Sequence, residues 1–209
     1  MEIKQDLEKY KLYGAKEIRL IRNAVSNHNL IKSFSEYKSH NNYIYDVGFI
    51  GRWEFNREKL ICDLASKLKI SFVVAGPGWE RSRLNSKSNV KVLKAVWGDD
   101  YFGLLSQIKI NLGLLSKIAK DNETTRLVEI PASGNFMVTE YNENNEILFK
   151  NIKDFCLFRN ENDLIVLITK LLKDYDFLNY LKKKQKECII KAKMSWKDQL
   201  VPILEDYLN

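Results

Sequence analysis

The sequence predicts an α/β chain: a single Rossmann-like domain with a parallel sheet and helices on both faces, an N-terminal lead-in helix, and C-terminal helices packing on the same domain. Apolar runs of strand length alternate with segments of helical periodicity, which is the pattern of parallel strands joined by right-handed crossovers. Small residues close several of the apolar runs, as they do where a strand turns into a helix beside a ligand. The 209 residues are 45% hydrophobic and 11% aromatic, enough for a substantial core.

Residues 1–42 read as a lead-in helix followed by a polar segment at 33–42, and the domain proper spans 43–173. Residues 44–50 form the first strand, Gly51 breaks it, and 55–69 carry Leu60, Ile61, Leu64 and Leu68 at helical spacing. The unit repeats with a buried strand at 70–75 closed by Gly76-Pro77-Gly78, a polar loop at 81–89 and a strand at 90–96. A helix at 99–107, a strand at 108–112, a helix at 124–133 and a strand at 135–139 follow. Thr124 or Thr125 is expected to cap that helix, and Pro131 and Gly134 to end it. A short strand at 156–158 and a helix at 161–172 complete the domain, and 174–209 are helical with a turn at Met194-Ser195, where Ser195 suits a cap.

Composition narrows the chemistry. Cys62, Cys156 and Cys188 lack C-x-x-C spacing, and His28 and His40 stand apart from any acidic cluster, so neither a disulfide framework nor a protein-bound metal is expected. The first twenty residues are charged throughout and no apolar run approaches the roughly 18 residues of a membrane span, so the cytoplasm is the expected compartment. A net charge of +7 favours an anionic partner: phosphate ligand, nucleic acid or acidic membrane surface.

In open parallel sheets ligands bind beyond the carboxyl ends of the strands, which singles out four loops. At the first, Gly51 permits close backbone approach while Arg52, Arg57 and Lys59 gather at a helix start. That arrangement suits a diphosphate, and equally a solvated helix start whose cations pair with Glu54 and Glu58. The second, Gly76-Pro77-Gly78-Trp79, offers an aromatic that could stack on a base or sugar, or is a plain turn; it is not a dinucleotide fingerprint. Gly113 ends the third strand exit beside open space or against packed neighbours. At the fourth, Arg126 and Glu129 lie three apart on one helix face, where Glu129 can accept from a ribose diol and Arg126 can hold a phosphate or carboxylate. The alternative is an ordinary surface Arg-Glu pair. Lys182-Lys-Lys-Gln-Lys186 spreads around a helix beside acids and reads as a solvated face, so nucleic acid is left as a charge-based alternative.

Taken together, Asp46-Val-Gly-Phe-Ile-Gly51-Arg52-Trp53, then Val74-Ala-Gly76-Pro-Gly78-Trp79, then Thr125-Arg126-Leu-Val-Glu129-Ile-Pro131-Ala-Ser-Gly134 resemble the CgeB-like group of glycosyltransferases. The similarity is to the C-terminal half of their GT-B fold, from about Gly14 onward. It implies that this half binds a nucleotide-diphosphate sugar without requiring a metal or other cofactor. Glu129 matches the ribose-binding acid, Arg52 and Arg57 lie where related enzymes place cations that act on the diphosphate, and Arg126 is typical of the group. In retaining GT-B enzymes an acid eight positions before the ribose acid faces the sugar; here that position holds the shorter Asp121. The resemblance further implies an acceptor half that this chain lacks, so a partner chain or self-association is expected to complete the cleft around an unknown acceptor.

Overall fold

The computed structural model describes residues 8–19, 21–26 and 43–208. Six strands, β1 (Tyr45–Ile50), β2 (Phe72–Ala75), β3 (Val90–Leu93), β4 (Ile108–Gly113), β5 (Met137–Glu140) and β6 (Leu157–Phe158), form one sheet in the order β3-β2-β1-β4-β5-β6. Every pairing is parallel. Between them run α1 (Phe55–Lys67), α2 (Gly98–Ser106), α3 (Arg126–Ala132), α4 (Glu143–Leu148) and α5 (Lys153–Cys156), and after β6 come α6 (Glu161–Lys173), α7 (Tyr175–Lys191) and α8 (Trp196–Leu208). The expected alternation therefore holds. The two short helices α4 and α5 went unread because each is too brief to show periodicity.

The strands are buried because both sides of the sheet are covered along its middle: Val47, Phe49, Val73, Val74, Ile110, Leu112 and Val138 are all at most 1% exposed. Such strands read as continuous apolar runs. The polar residues among them have assigned partners. Asp46, at the start of β1, accepts from the Ser71 amide at 2.9 Å and from Lys109 Nζ at 2.7 Å, tying the lower ends of three neighbouring strands together. Thr139 donates its hydroxyl to the Gly113 carbonyl at 2.6 Å across β4 and β5.

Since β6 pairs with β5 only at Thr139 and Glu140, the start of β5 has a free edge. The fully buried Gln185 of α7 fills it, its amide oxygen accepting from Met137 N at 2.8 Å and its amide nitrogen donating to Met137 O at 2.9 Å. A side chain thus continues the ladder where a strand is missing, which leaves no unsatisfied edge. This binds α7 to the sheet, and α7 packs on α3.

Lys182 of the basic run is buried, with its ammonium over the Tyr43 ring at 4.4 Å and bonded to the Tyr43 hydroxyl. The run is therefore neither a wholly solvated face nor a continuous basic footprint. Ser195 caps α8 as expected, accepting from Asp198 N at 3.1 Å, and Val25 bridges to Ser195. Residues 8–12 are helical; the polar segment at 33–42, with His28 and His40, lies outside the described residues. No described helix is long and apolar enough to cross a membrane.

Candidate functional site

The strand order reverses between β1 and β4: from β1 the chain moves outward to β2 and β3, then returns to β4 and continues the other way. At such a reversal the loops above the strand ends diverge and leave a crevice. The crevice here is an open cleft of about 440 Å³. Ile50, Gly51 and Arg52 at the end of β1, Gly76 and Pro77 after β2, and the segment Ala95 to Gly98 after β3 contribute to its lining. Tyr101 and Phe102 of α2 with Thr125, Arg126 and Glu129 at the start of α3 complete it.

The structure thus brings Gly51, Arg52, Gly76, Arg126 and Glu129 together from three separate segments. Contrary to expectation, Gly78, Trp79 and Arg57 lie outside the cleft lining: Trp79 and Arg57 are buried, while Gly78 is exposed but turned away into its own loop. Trp79 is fully buried, packs edge-on against Phe49 and donates Nε1 to the Gly51 carbonyl at 2.8 Å, so it holds the β1 exit from beneath and has no face for a ligand. Gly78 adopts φ +89° and starts the helical turn that carries Trp79; its role is the turn itself.

Arg57 is 4% exposed and pairs with the equally buried Glu54 at 2.9 Å. It also donates to the carbonyls of Arg52 at 2.9 Å and Leu114 at 3.2 Å, fastening the exits of β1 and β4 to each other. Burial pulls its pKa down while Glu54 pulls it back up, as for a cation held inside by its partner. The pairing with Glu54 that the sequence left open is the one formed.

Gly76 is required by two independent facts. Its φ is +144°, and a Cβ there would stand 2.1 Å from the Gly51 carbonyl oxygen. No side chain fits between the exits of β1 and β2, so these two backbones meet directly at the cleft floor.

Arg126 sits above this layer. Its guanidinium lies 5.4 Å from the Phe49 ring centroid, matching Arg57 at 5.3 Å, and its Nη2 donates to the same Leu114 carbonyl at 3.0 Å. Unlike Arg57, it pairs with no carboxylate among the described residues; its Nε, like that of Arg57, has no hydrogen-bond partner. Burial lowers its pKa, opposed by the nearby Tyr101, Glu129, Asp121 and Glu54. An arginine remains charged under such a shift, so the cleft wall holds a cation whose partner is not another residue of the wall.

Arg126 and Glu129 do not pair with each other. Glu129 instead accepts from the Tyr101 hydroxyl at 3.2 Å through Oε2. No threonine hydroxyl caps α3; the Thr124 and Thr125 carbonyls take the first helical bonds instead. Pro131 lies inside α3, and the chain turns at Gly134, with φ +76°. Asp121 is half-buried in the loop after β4, outside the cleft lining.

Several residues of the site lack a sequence signal. Tyr101 and Phe102 fall within the helix expected at 99–107, yet they line the cleft, and Trp97, 72% exposed, falls between that helix and the strand expected at 90–96. Glu140, at the end of β5, accepts from Leu115 N at 3.0 Å and bonds Lys117, while Glu54 accepts from Lys117 N at 3.1 Å. Two carboxylates thereby set the course of the loop after β4. No group of three or more His, Cys, Asp and Glu side chains comes together as a metal site among the described residues.

A parallel sheet in this order, reversing at a crevice, defines the Rossmann-like class of α/β proteins. The family comparison makes it specific: residues 57–205 match the glycosyl transferase-like family model, and the chain belongs to that family. No curated protein matches it. Among solved structures, TarM is similar with a TM-score of 0.66 and 21% identity, over 98% of this chain and 41% of TarM. Anabaena HepE in complex with UDP-glucose gives 0.67 and 14%, over 91% of this chain and 57% of HepE. T4 phage β-glucosyltransferase with its UDP-glucose substrate gives 0.57 and 14%, over 92% of this chain and 51% of the enzyme. These likenesses establish the fold, that of one half of a GT-B glycosyltransferase. The chain spans about half the length of the proteins it matches.

Proposed function

We propose that this chain is the donor-binding half of a glycosyltransferase and that its cleft holds a nucleotide-diphosphate sugar. The observation that carries the reading is the coexistence, on one cleft wall, of an arginine with no carboxylate partner and a glutamate that does not neutralise it. A donor needs both at once: a cation for its diphosphate and an acceptor for its ribose diol. Arg126 and the exposed Arg52 take the diphosphate, and Glu129 takes the diol. Gly51 and Gly76 let the ligand approach the backbone, and Trp97 supplies the flat apolar face that Trp79 does not. The Thr125-Arg126 to Gly134 motif supports placement in the CgeB-like group.

Transfer breaks the bond between the sugar and the diphosphate as the acceptor oxygen attacks the sugar. The Arg126 guanidinium, held by the Leu114 carbonyl, and the exposed Arg52 stabilise the negative charge that builds on the departing diphosphate, a role that requires no metal. An acceptor must also be positioned, and the open side of the cleft leaves that task to a second wall, from a partner chain, a second copy or a further half. The open cleft also admits a second reading, in which this half binds donor without turning it over.

A thermal-shift panel of nucleoside diphosphates and nucleotide sugars tests the site. A ligand held only by the folded state at a hundred times its dissociation constant stabilises by about 2.7 kcal/mol. No shift with any member would sink the donor reading. Binding without nucleotide release, in a coupled assay with sugar acceptors, would select the non-catalytic reading.

A further inference from the structure

The geometry points to Tyr101 as the residue that aims Glu129, fixing which carboxylate oxygen meets the ligand and thereby setting the preference for ribose over deoxyribose; this inference rests on the donor-site reading above. Tyr101 belongs to α2 and Glu129 to α3, and among the described residues the one hydrogen bond assigned to the Glu129 side chain is the 3.2 Å bond from the Tyr101 hydroxyl to Oε2. Both residues line the cleft. Tyr101 is held in turn by the edge-to-face packing of its ring on Phe102, 5.0 Å between centroids, so its hydroxyl is a fixed reference point.

A carboxylate on a partly exposed helix turn can rotate about its last bond and present either oxygen in many directions. A hydroxyl donating to one oxygen removes that freedom and directs the other, Oε1, to the open cleft. Burial and the Glu129 charge both push the Tyr101 phenol well above its ordinary range, so it is a donor throughout the physiological range. Arg126 makes no hydrogen bond to Glu129; its assigned hydrogen bond goes to Leu114. The hydrogen bond that aims the glutamate is therefore the tyrosine's.

The consequence is chemical. An acceptor held in place rewards a ligand that offers a hydroxyl donor there and penalises one that lacks it, because the desolvated oxygen is then left unpaired. Tyr101 is thus a positioning residue whose removal should erode discrimination rather than anion binding.

The test uses UDP, GDP, ADP and CDP with their 2′-deoxy and 3′-deoxy counterparts, and inorganic pyrophosphate as the probe of the anion subsite, in titration calorimetry. The unaltered chain should prefer one ribonucleotide over a deoxy counterpart by about tenfold, the size of one hydrogen bond to a charged group. Tyr101→Phe should shrink that preference to about threefold or less while leaving pyrophosphate affinity unchanged. A general distortion of the site would weaken both.

Glu129→Gln gives the sharper arm and does not depend on Tyr101→Phe folding. With Tyr101 present, the amide oxygen takes the hydroxyl and the amide nitrogen faces the ligand, so the preference should collapse. Adding Tyr101→Phe frees the amide to turn its oxygen outward, and part of the preference should return. An unchanged ribose preference in Tyr101→Phe, or a preference retained in Glu129→Gln alone, would overturn the inference while nucleotide binding stands. If the unaltered chain binds no nucleotide, the donor reading itself fails first.

Discussion

Two layers at the top of the sheet use the same three residue types to opposite ends. In the lower layer Glu54, Arg57 and Trp79 are nearly or wholly inaccessible and bonded to one another's loops. In the upper layer Glu129, Arg126 and Trp97 are partly or largely exposed, and none of them pairs with another. The guanidiniums of Arg57 and Arg126 lie at nearly the same distance from the Phe49 ring and share the Leu114 carbonyl. Residue type therefore assigns neither role. What separates them is whether the protein itself supplies the partner: an arginine met by a buried carboxylate fastens loops, and one left without a carboxylate awaits an anion.

The largest expected effects come from breaking the lower layer. Glu54→Ala strands the Arg57 guanidinium in the interior and leaves Lys117 N without its acceptor, so it should cost about 3–5 kcal/mol in urea unfolding. Trp79→Ala should cost a similar amount, about 3–5 kcal/mol, through the cavity it opens beside Phe49. If either change left stability within about 0.5 kcal/mol of the parent, the division into layers would be wrong.

Next in size is Arg126→Met, which keeps apolar contact with Phe49 and removes the cation. Affinity for pyrophosphate should fall by about ten- to a hundredfold, equivalent to about 1.5–3 kcal/mol for hydrogen bonds to a charged group, read by titration calorimetry. Its effect on unfolding should be clearly smaller than that of Glu54→Ala. A larger loss of stability than of anion affinity would move Arg126 into the lower layer.

Much of the fold was legible because parallel strands buried on both faces announce themselves as apolar runs, and the glycine at 76 marks a real backbone meeting. The reversal of strand order was not legible, since alternation is the same whichever side of β1 the next strand joins. The same limit governed the site. Arg126 and Glu129 were found because a short helix displays both on one face. Arg57 and Trp79 were misplaced because sequence position after a strand says nothing about depth. Tyr101 was hidden inside a helix whose pattern is that of ordinary packing, and only the tertiary approach of α2 to α3 makes it part of the cleft.

Acidity offers a gentler probe of the lower layer. Glu58 accepts from Ser82 Oγ at 2.8 Å, Arg83 N at 2.6 Å and Trp53 Nε1 at 3.0 Å. Burial alone would raise its pKa, but these bonds outweigh it and the net shift is downward from 4.5. A carboxylate with a depressed folded-state pKa adds stability that is present above its unfolded value and lost as pH falls through the folded one. The stability gap between the parent and Glu58→Gln should thus be full above about pH 4.5 and close progressively below it, as followed by urea midpoints across pH. A gap that widened on acidification would contradict the bonding described.

Trp97→Ala should show the smallest effect on the fold and the cleanest contrast with its buried counterpart. The indole is 72% exposed, so stability should stay within about 0.5 kcal/mol of the parent. If the ring forms a wall for the nucleobase, its loss should weaken nucleoside diphosphate binding by about three- to tenfold, in line with the 0.5–1.5 kcal/mol of an aromatic contact, and leave pyrophosphate binding unaltered. Equal weakening of both ligands would mean that the tryptophan shapes the anion site instead. No weakening of either would place the base elsewhere along the cleft, with Phe102 the next aromatic to test.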